Sequence, residues 1–151
     1  KTIGDLLGIC LFAVTMALSR TIFGFIGDKI NLKKIMIICG ICLFGSYLLT
    51  SLSPNAYISL VGIALAGLFV GILWPGIYSL ASRYYPNGGT RMFSLLALAG
   101  DMGCIIGPSI IGLFPSDIKW GIFAASVLPL LVFLSLLIFS SLEKKNSSSN
   151  I

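Results

Sequence analysis

The chain has 151 residues, of which 57% are hydrophobic and only 10% charged, and its 10 Lys and Arg against 5 Asp and Glu give a net charge of +5. A soluble domain of this size needs a charged exterior, so the composition excludes one and requires a surface that faces lipid. The basic residues gather in the connections between apolar stretches, so a pI near 9.2 reports membrane orientation and not nucleic-acid binding.

Five apolar stretches, 3–26, 35–51, 57–78, 93–114 and 121–142, are each read as a transmembrane helix. A hydrocarbon core of about 30 Å needs about 20 helical residues. The expected fold is therefore an all-α membrane protein with five spans, its membrane domain covering 1–142. The polar, serine-rich remainder, 143–151, is expected to be a disordered tail, and its Asn146-Ser147-Ser148 sequon unmodified on the cytoplasmic side.

In chain order, the first span ends where Gly24 and Gly27 loosen the helix before Asp28. Asn31 then offers a residue that tolerates a left-handed turn, and Lys33 and Lys34 open the second span. That span closes in the short Ser51-Leu52-Ser53-Pro54-Asn55 turn, which forces an antiparallel hairpin. The third span carries Gly62, Ala66, Gly67 and Gly71, small residues that let a neighbouring backbone approach closely. Further along, Pro75 in Trp74-Pro75-Gly76 has no N–H and is expected to break the hydrogen-bond ladder and kink the helix. Trp74 and Tyr78, one turn apart, share a face that would stack on a flat or sugar-like solute, or simply pack. Tyr84 and Tyr85 suit the headgroup region, as do Tyr57 and Trp120 at the opposite face.

The fourth span holds Asp101 near its middle, in Gly100-Asp101-Met102-Gly103-Cys104-Ile105-Ile106-Gly107-Pro108. An ionised carboxylate there costs about 2.5 to 3.5 kcal/mol on insertion scales, so it must face protein or water. Its candidate roles are proton coupling or solute contact, against a structural carboxylate paired with a helix terminus or an arginine. Gly100, Gly103 and Gly107 share a helical face, with Pro108 following and Gly112 beyond, which suits either close packing or a helix that bends and rocks. Asp5, near the end of the first span, is read as interfacial.

Alternate connections lie on opposite sides of the membrane. One side gathers Lys29, Lys33, Lys34, Arg83, Arg91, Lys144 and Lys145, and the other only Lys1 and Lys119. The positive-inside rule makes the first side, with the C-terminus, cytoplasmic. Arg20 lies inside the first span near that side, within snorkelling reach of it.

Histidine is absent, and Cys10, Cys39, Cys42 and Cys104 all fall in apolar spans. Cys39 and Cys42 have CxxC spacing but no polar neighbours, so packing is expected rather than redox or metal chemistry. No metal, cofactor or enzymatic constellation is expected, since no carboxylate pair or activated nucleophile is evident. A first residue Lys1 instead of Met, and an odd number of spans, suggest a piece of a larger polypeptide.

The loop from Gly24 to Lys34 resembles the signature cytoplasmic loop of the major facilitator superfamily, Gly-x-Leu-small-Asp-Arg-x-Gly-Arg-Lys. Gly24, Ile26, Gly27, Asp28, Lys29 and Lys33 fit it, while Asn31 replaces a glycine and Leu32 an arginine. Those departures resemble the weaker copy in the second half of such transporters, between helices eight and nine. The Gly100 to Gly112 stretch resembles the eleventh helix, and Trp74-Pro75 the tenth helix of the fucose-permease-like sugar transporters.

The resemblance implies helices eight to twelve of a twelve-helix transporter, the N-terminal half lying outside this sequence. It passes to Asp28 the role of locking one conformation against the other half, with Lys29 and Lys33 beside it and Arg20 as a charge partner. The expected function is proton-coupled secondary transport of a small polar solute, a sugar being one candidate, by alternating access across the cell membrane. Asp101, Trp74 and Tyr78 are the candidate coupling and solute residues. Arg20, Gly24, Asp28, Lys29 and Lys33 are assigned to the cytoplasmic gate, and Gly67, Gly71, Pro75, Gly100, Gly103, Gly107 and Pro108 to packing and bending. The competing reading is a membrane interaction or signalling module that keeps the fold without transport.

Overall fold

The computed structural model describes the backbone of residues 2–149 and the side chains of 6–27 and 29–141. Among these residues the protein is all-helical: α1 (Thr2–Ile26), a 3-10 turn (Gly27–Lys29), α2 (Leu32–Leu52), α3 (Ala56–Tyr84), α4 (Gly89–Gly112), α5 (Ile118–Ala125) and α6 (Val127–Ser149). Five segments are long and apolar enough to cross a membrane, the fifth combining α5 with most of α6. The side chains of the tail expected to be disordered, 143–151, lie outside the described residues.

The third helix is the hub. α3 packs along both α1 and α2, α2 also meets α5 and α6, and α4 leans chiefly on α5. The reason is visible in the small residues of α3. A Cβ at Gly67 would collide with the Phe12 carbonyl and Thr15 Oγ1, and one at Gly71 would stand 2.7 Å from the Met16 carbonyl, so both glycines press α3 against α1. Gly62 does the same toward α2, where a Cβ would strike Thr50 Oγ1. Lipid tails give helices no hydrophobic drive to associate, so such close backbone contact and its dispersion energy hold the bundle. Phe23, Leu32, Met36, Cys39, Leu43, Ala66 and Leu73 fill the space between the three helices, and Met36 is 0% exposed.

Polar groups in this core are satisfied locally, as a bilayer requires. Ser46 Oγ donates to the Cys42 carbonyl and Thr50 Oγ1 to the Ser46 carbonyl, each at 2.8 Å. Ser19 instead donates across the interface, to the Leu68 carbonyl of α3. At the end away from the lysine cluster, Ser51 Oγ donates to the Lys119 carbonyl at 2.8 Å, and Lys119 Nζ donates to the Ser53 carbonyl at 2.6 Å. These two bonds clasp the α2–α3 turn to the start of α5.

Asn31 is not left-handed: with φ −73° it caps α2, its side chain accepting from the Lys34 N–H. At Pro75, which has no N–H for the Gly71 carbonyl, the hydrogen-bond ladder loses a rung, and α3 stays helical through it from Ala56 to Tyr84. In lipid, breaking the helix would strand several backbone groups, so losing a single rung is the milder outcome. Continuity fails instead at Ser126, between α5 and α6. Pro129 explains this, since it has no N–H for the Ala125 carbonyl and its ring crowds that group. Ser126 relieves the break by donating its hydroxyl to the Phe123 carbonyl at 2.6 Å.

Gly67→Val is expected to destabilise the protein by about 1–3 kcal/mol, because backbone atoms of α1 cannot yield to a side chain there. Gly24→Ala, with nothing within 4 Å of its Cβ position, should stay within about 0.5 kcal/mol of the parent. Thermal unfolding in detergent micelles measures both.

Candidate functional site

Where the tight α1–α3 contact at Gly67 and Gly71 gives way toward the lysine-rich end, the two helices flank a half-open cavity of about 440 Å³. α1 and the turn after it supply Arg20, Phe23, Gly24 and Gly27; α3 supplies Trp74, Pro75, Ser79 and Arg83. On α3 the residues Pro75, Ser79 and Arg83 repeat every four positions, and so line one face of the helix. On α1, Gly24 leaves the wall without a side chain, nothing lying within 4 Å of its Cβ position.

The charged part of this lining is cationic among the described side chains, with guanidinium groups from Arg20 and Arg83. Arg83 is already engaged by an interaction of its own. Arg20 is exposed and makes no hydrogen bond or ion pair with a described residue, and the same holds for the Ser79 hydroxyl.

Trp74 is 40% exposed and joins this cavity to α4. A Cβ at Gly100 would overlap the distal atoms of its indole, so the absence of a side chain at Gly100 seats the ring. Tyr78 follows at 5.3 Å between ring centroids, tilted by 55°, and stacks at 5.8 Å on Phe93 of α4 with nearly parallel planes. The two aromatics expected to work as a pair touch each other but differ in what else they reach. Trp74 lines the cavity, whereas Tyr78 does not and spends its face on Phe93.

Asp101 follows Gly100 but points elsewhere: it is exposed, does not line the cavity, and has no hydrogen-bond or ion-pair partner among the described residues. Beyond Gly100 the glycine face is open. Nothing lies within 4 Å of a Cβ at Gly103 or Gly112, and at Gly107 the nearest atom is Leu128 Cδ1 at 3.9 Å. Pro108 lies inside α4 without ending the helix.

In the loop expected to act as a gate, the 3-10 turn holds the backbone of Asp28, whose side chain lies outside the described residues. Lys29 is exposed. Lys33 places its ammonium 4.9 Å from the centre of the Tyr84 ring, tying the loop to the end of α3 by a cation–π contact. Tyr84 also meets Phe139 of α6 edge-on at 5.1 Å, so it serves packing as well as the headgroup region.

The structure thus brings Arg20, Gly24, Trp74 and Pro75 to one cavity, and leaves Tyr78, Asp101 and Lys33 outside it. Phe23 and Ser79 are not among the residues expected from the sequence, and Arg83 is expected there only as a basic residue of the cytoplasmic side, although the four-residue spacing from Pro75 through Ser79 to Arg83 is available as a signal. Among the described residues, no group of His, Cys, Asp and Glu is placed to hold a metal.

Comparison with known proteins gives one positive result: the model of the Major Facilitator Superfamily matches residues 2–150. The chain belongs to the major facilitator superfamily. No curated protein and no solved structure gave a significant match. Membership accounts for the apolar helices and assigns the protein to the membrane transporters rather than to an enzyme family.

Gly100→Ala should displace the Trp74 indole. In a Trp120→Phe background, Trp74 emission and its quenching by acrylamide are expected to change, with a stability loss of about 1 kcal/mol. Gly103→Ala, facing open space, should leave both readings unchanged.

Proposed function

We propose that this chain is the C-terminal part, helices eight to twelve, of a secondary transporter in the cell membrane that moves a small polar solute by alternating access, in symport with protons. The observation that carries this reading is the cavity between α1 and α3, where Arg20 and Trp74 meet beside the gate loop of a chain that belongs to a transporter superfamily. A volume of about 440 Å³ suits a small solute, and two polar groups in its wall lack partners among the described residues.

The lysine-rich end, with the C-terminus, is cytoplasmic in this reading, so the cavity is the inner vestibule and the turn around Asp28 is its gate. Lys29 and Lys33 flank that gate. The open faces of α1 and α4, at Gly24, Gly103 and Gly107, are where the N-terminal half rocks against this one. Asp101, an unpartnered acid on α4 within a span, is the proton-coupling residue.

In the protein expressed from its whole reading frame and reconstituted in proteoliposomes, Asp101→Asn should abolish proton-driven accumulation and preserve solute exchange. Unchanged accumulation would remove Asp101 from the mechanism, and solute binding without any flux would mark a non-transporting module. A single cysteine at Arg91 is expected to react with a membrane-impermeant maleimide only after the cells are opened. Reaction in intact cells would reverse the orientation.

A further inference from the structure

Arg20 poses a specific question of charge. It sits within a membrane-spanning helix, where a cation costs about 2.5–3.5 kcal/mol unless it finds water or a counter-charge. An arginine so placed commonly turns its head to the interface or pairs with an acid. Here it is exposed in the lining of the cavity at the lysine-rich end, and no described side chain forms an ion pair with it. The second guanidinium of the lining, Arg83, is separately engaged and adds positive potential to the same space.

Next to Arg20 the wall offers two further kinds of contact. The Ser79 hydroxyl has no partner among the described residues, and Trp74 presents an indole whose far edge is fixed against Gly100. A planar fork of N–H donors, a hydroxyl and a flat apolar ring match a solute with an anionic group at one end and a compact body at the other. Guanidinium binds carboxylate and phosphate through paired, charge-assisted N–H donors, which are roughly twice as strong as hydrogen bonds to the neutral hydroxyls of a polyol.

We infer that the solute carries a carboxylate or phosphate group, which Arg20 binds in the cavity between α1 and α3 with Ser79 and Trp74 beside it. This rests on the transport reading for the word solute, but not for the binding itself. It replaces a neutral sugar as the expected cargo: the Trp74 face accepts a sugar ring, and Arg20 favours a ring that bears a negative charge.

The test uses the protein from its whole reading frame, purified in detergent, with thermal unfolding followed during titration of four probes: glucose, gluconate, glucose 6-phosphate and inorganic phosphate. At least one of the anions should raise the midpoint, and glucose should not. Arg20→Gln should weaken that anion by about tenfold or more, the scale of a charge-assisted hydrogen bond. Arg20→Lys, which keeps the charge and loses the fork, should fall between. Ligand-free midpoints equal to the parent's show that both variants fold. Stabilisation by glucose equal to that by the anions, anion binding unchanged in Arg20→Gln, or no shift with any probe would each overturn the inference. The last two are the results expected if Arg20 serves only the gate loop. Arg20-dependent anion binding without flux in proteoliposomes would overturn the transport reading alone and uphold the anion site.

Discussion

The architecture depends on one constraint: two helices in lipid hold together only as closely as their side chains allow. α3 meets it by having no side chain at Gly67 and Gly71 toward α1, nor at Gly62 toward α2. Everything near the candidate site follows from that choice. Close approach lets Ser19 reach the Leu68 carbonyl, buries Met36 completely, and fixes the axes from which the walls of the cavity project. The contrast with α4 makes the same point from the other side. Its glycines at 103 and 112 meet nothing, it buries no residue, and an apolar cavity of about 470 Å³ lies where α3, α4 and α6 fail to close on one another.

The spans were legible because hydropathy over about 20 residues is a strong signal in a bilayer. The ladder on α3 was legible for a related reason, since small residues at helical spacing have few other uses there. Boundaries were less so. α3 continues past Tyr78 to Tyr84 and α5 starts at Ile118, because a helix keeps its hydrogen bonds after it leaves the hydrocarbon and hydropathy does not mark that exit. The two prolines differ in outcome. Pro75 sits in an unbroken helix while Pro129 coincides with a break, and the sequence reading weighed only the first.

The site was legible only in part, for a physical reason. Arg20 and Trp74 were each recognisable as costly or amphipathic in lipid, yet they lie on different helices, and nothing in either span says that they face one cavity. Tyr78 shares a helix face with Trp74, but the neighbour that takes its ring, Phe93, belongs to α4 and lies across a turn. Periodicity within a helix gives a face. Which neighbour that face meets is set by the glycine contacts between helices.

Trp74 is where these threads meet. One part of its indole lines the cavity beside Arg20, and its far edge occupies the space that Gly100 leaves on α4, immediately before Asp101. A ring seated against a backbone without a Cβ has little slack, so α4 cannot slide along α3 without moving the indole or losing the contact. The adjoining stack of Tyr78 on Phe93 adds a second point of the same kind, one turn toward the lysine-rich end. A displacement of α4 would therefore reach the Trp74 indole, and through it the cavity, by packing alone.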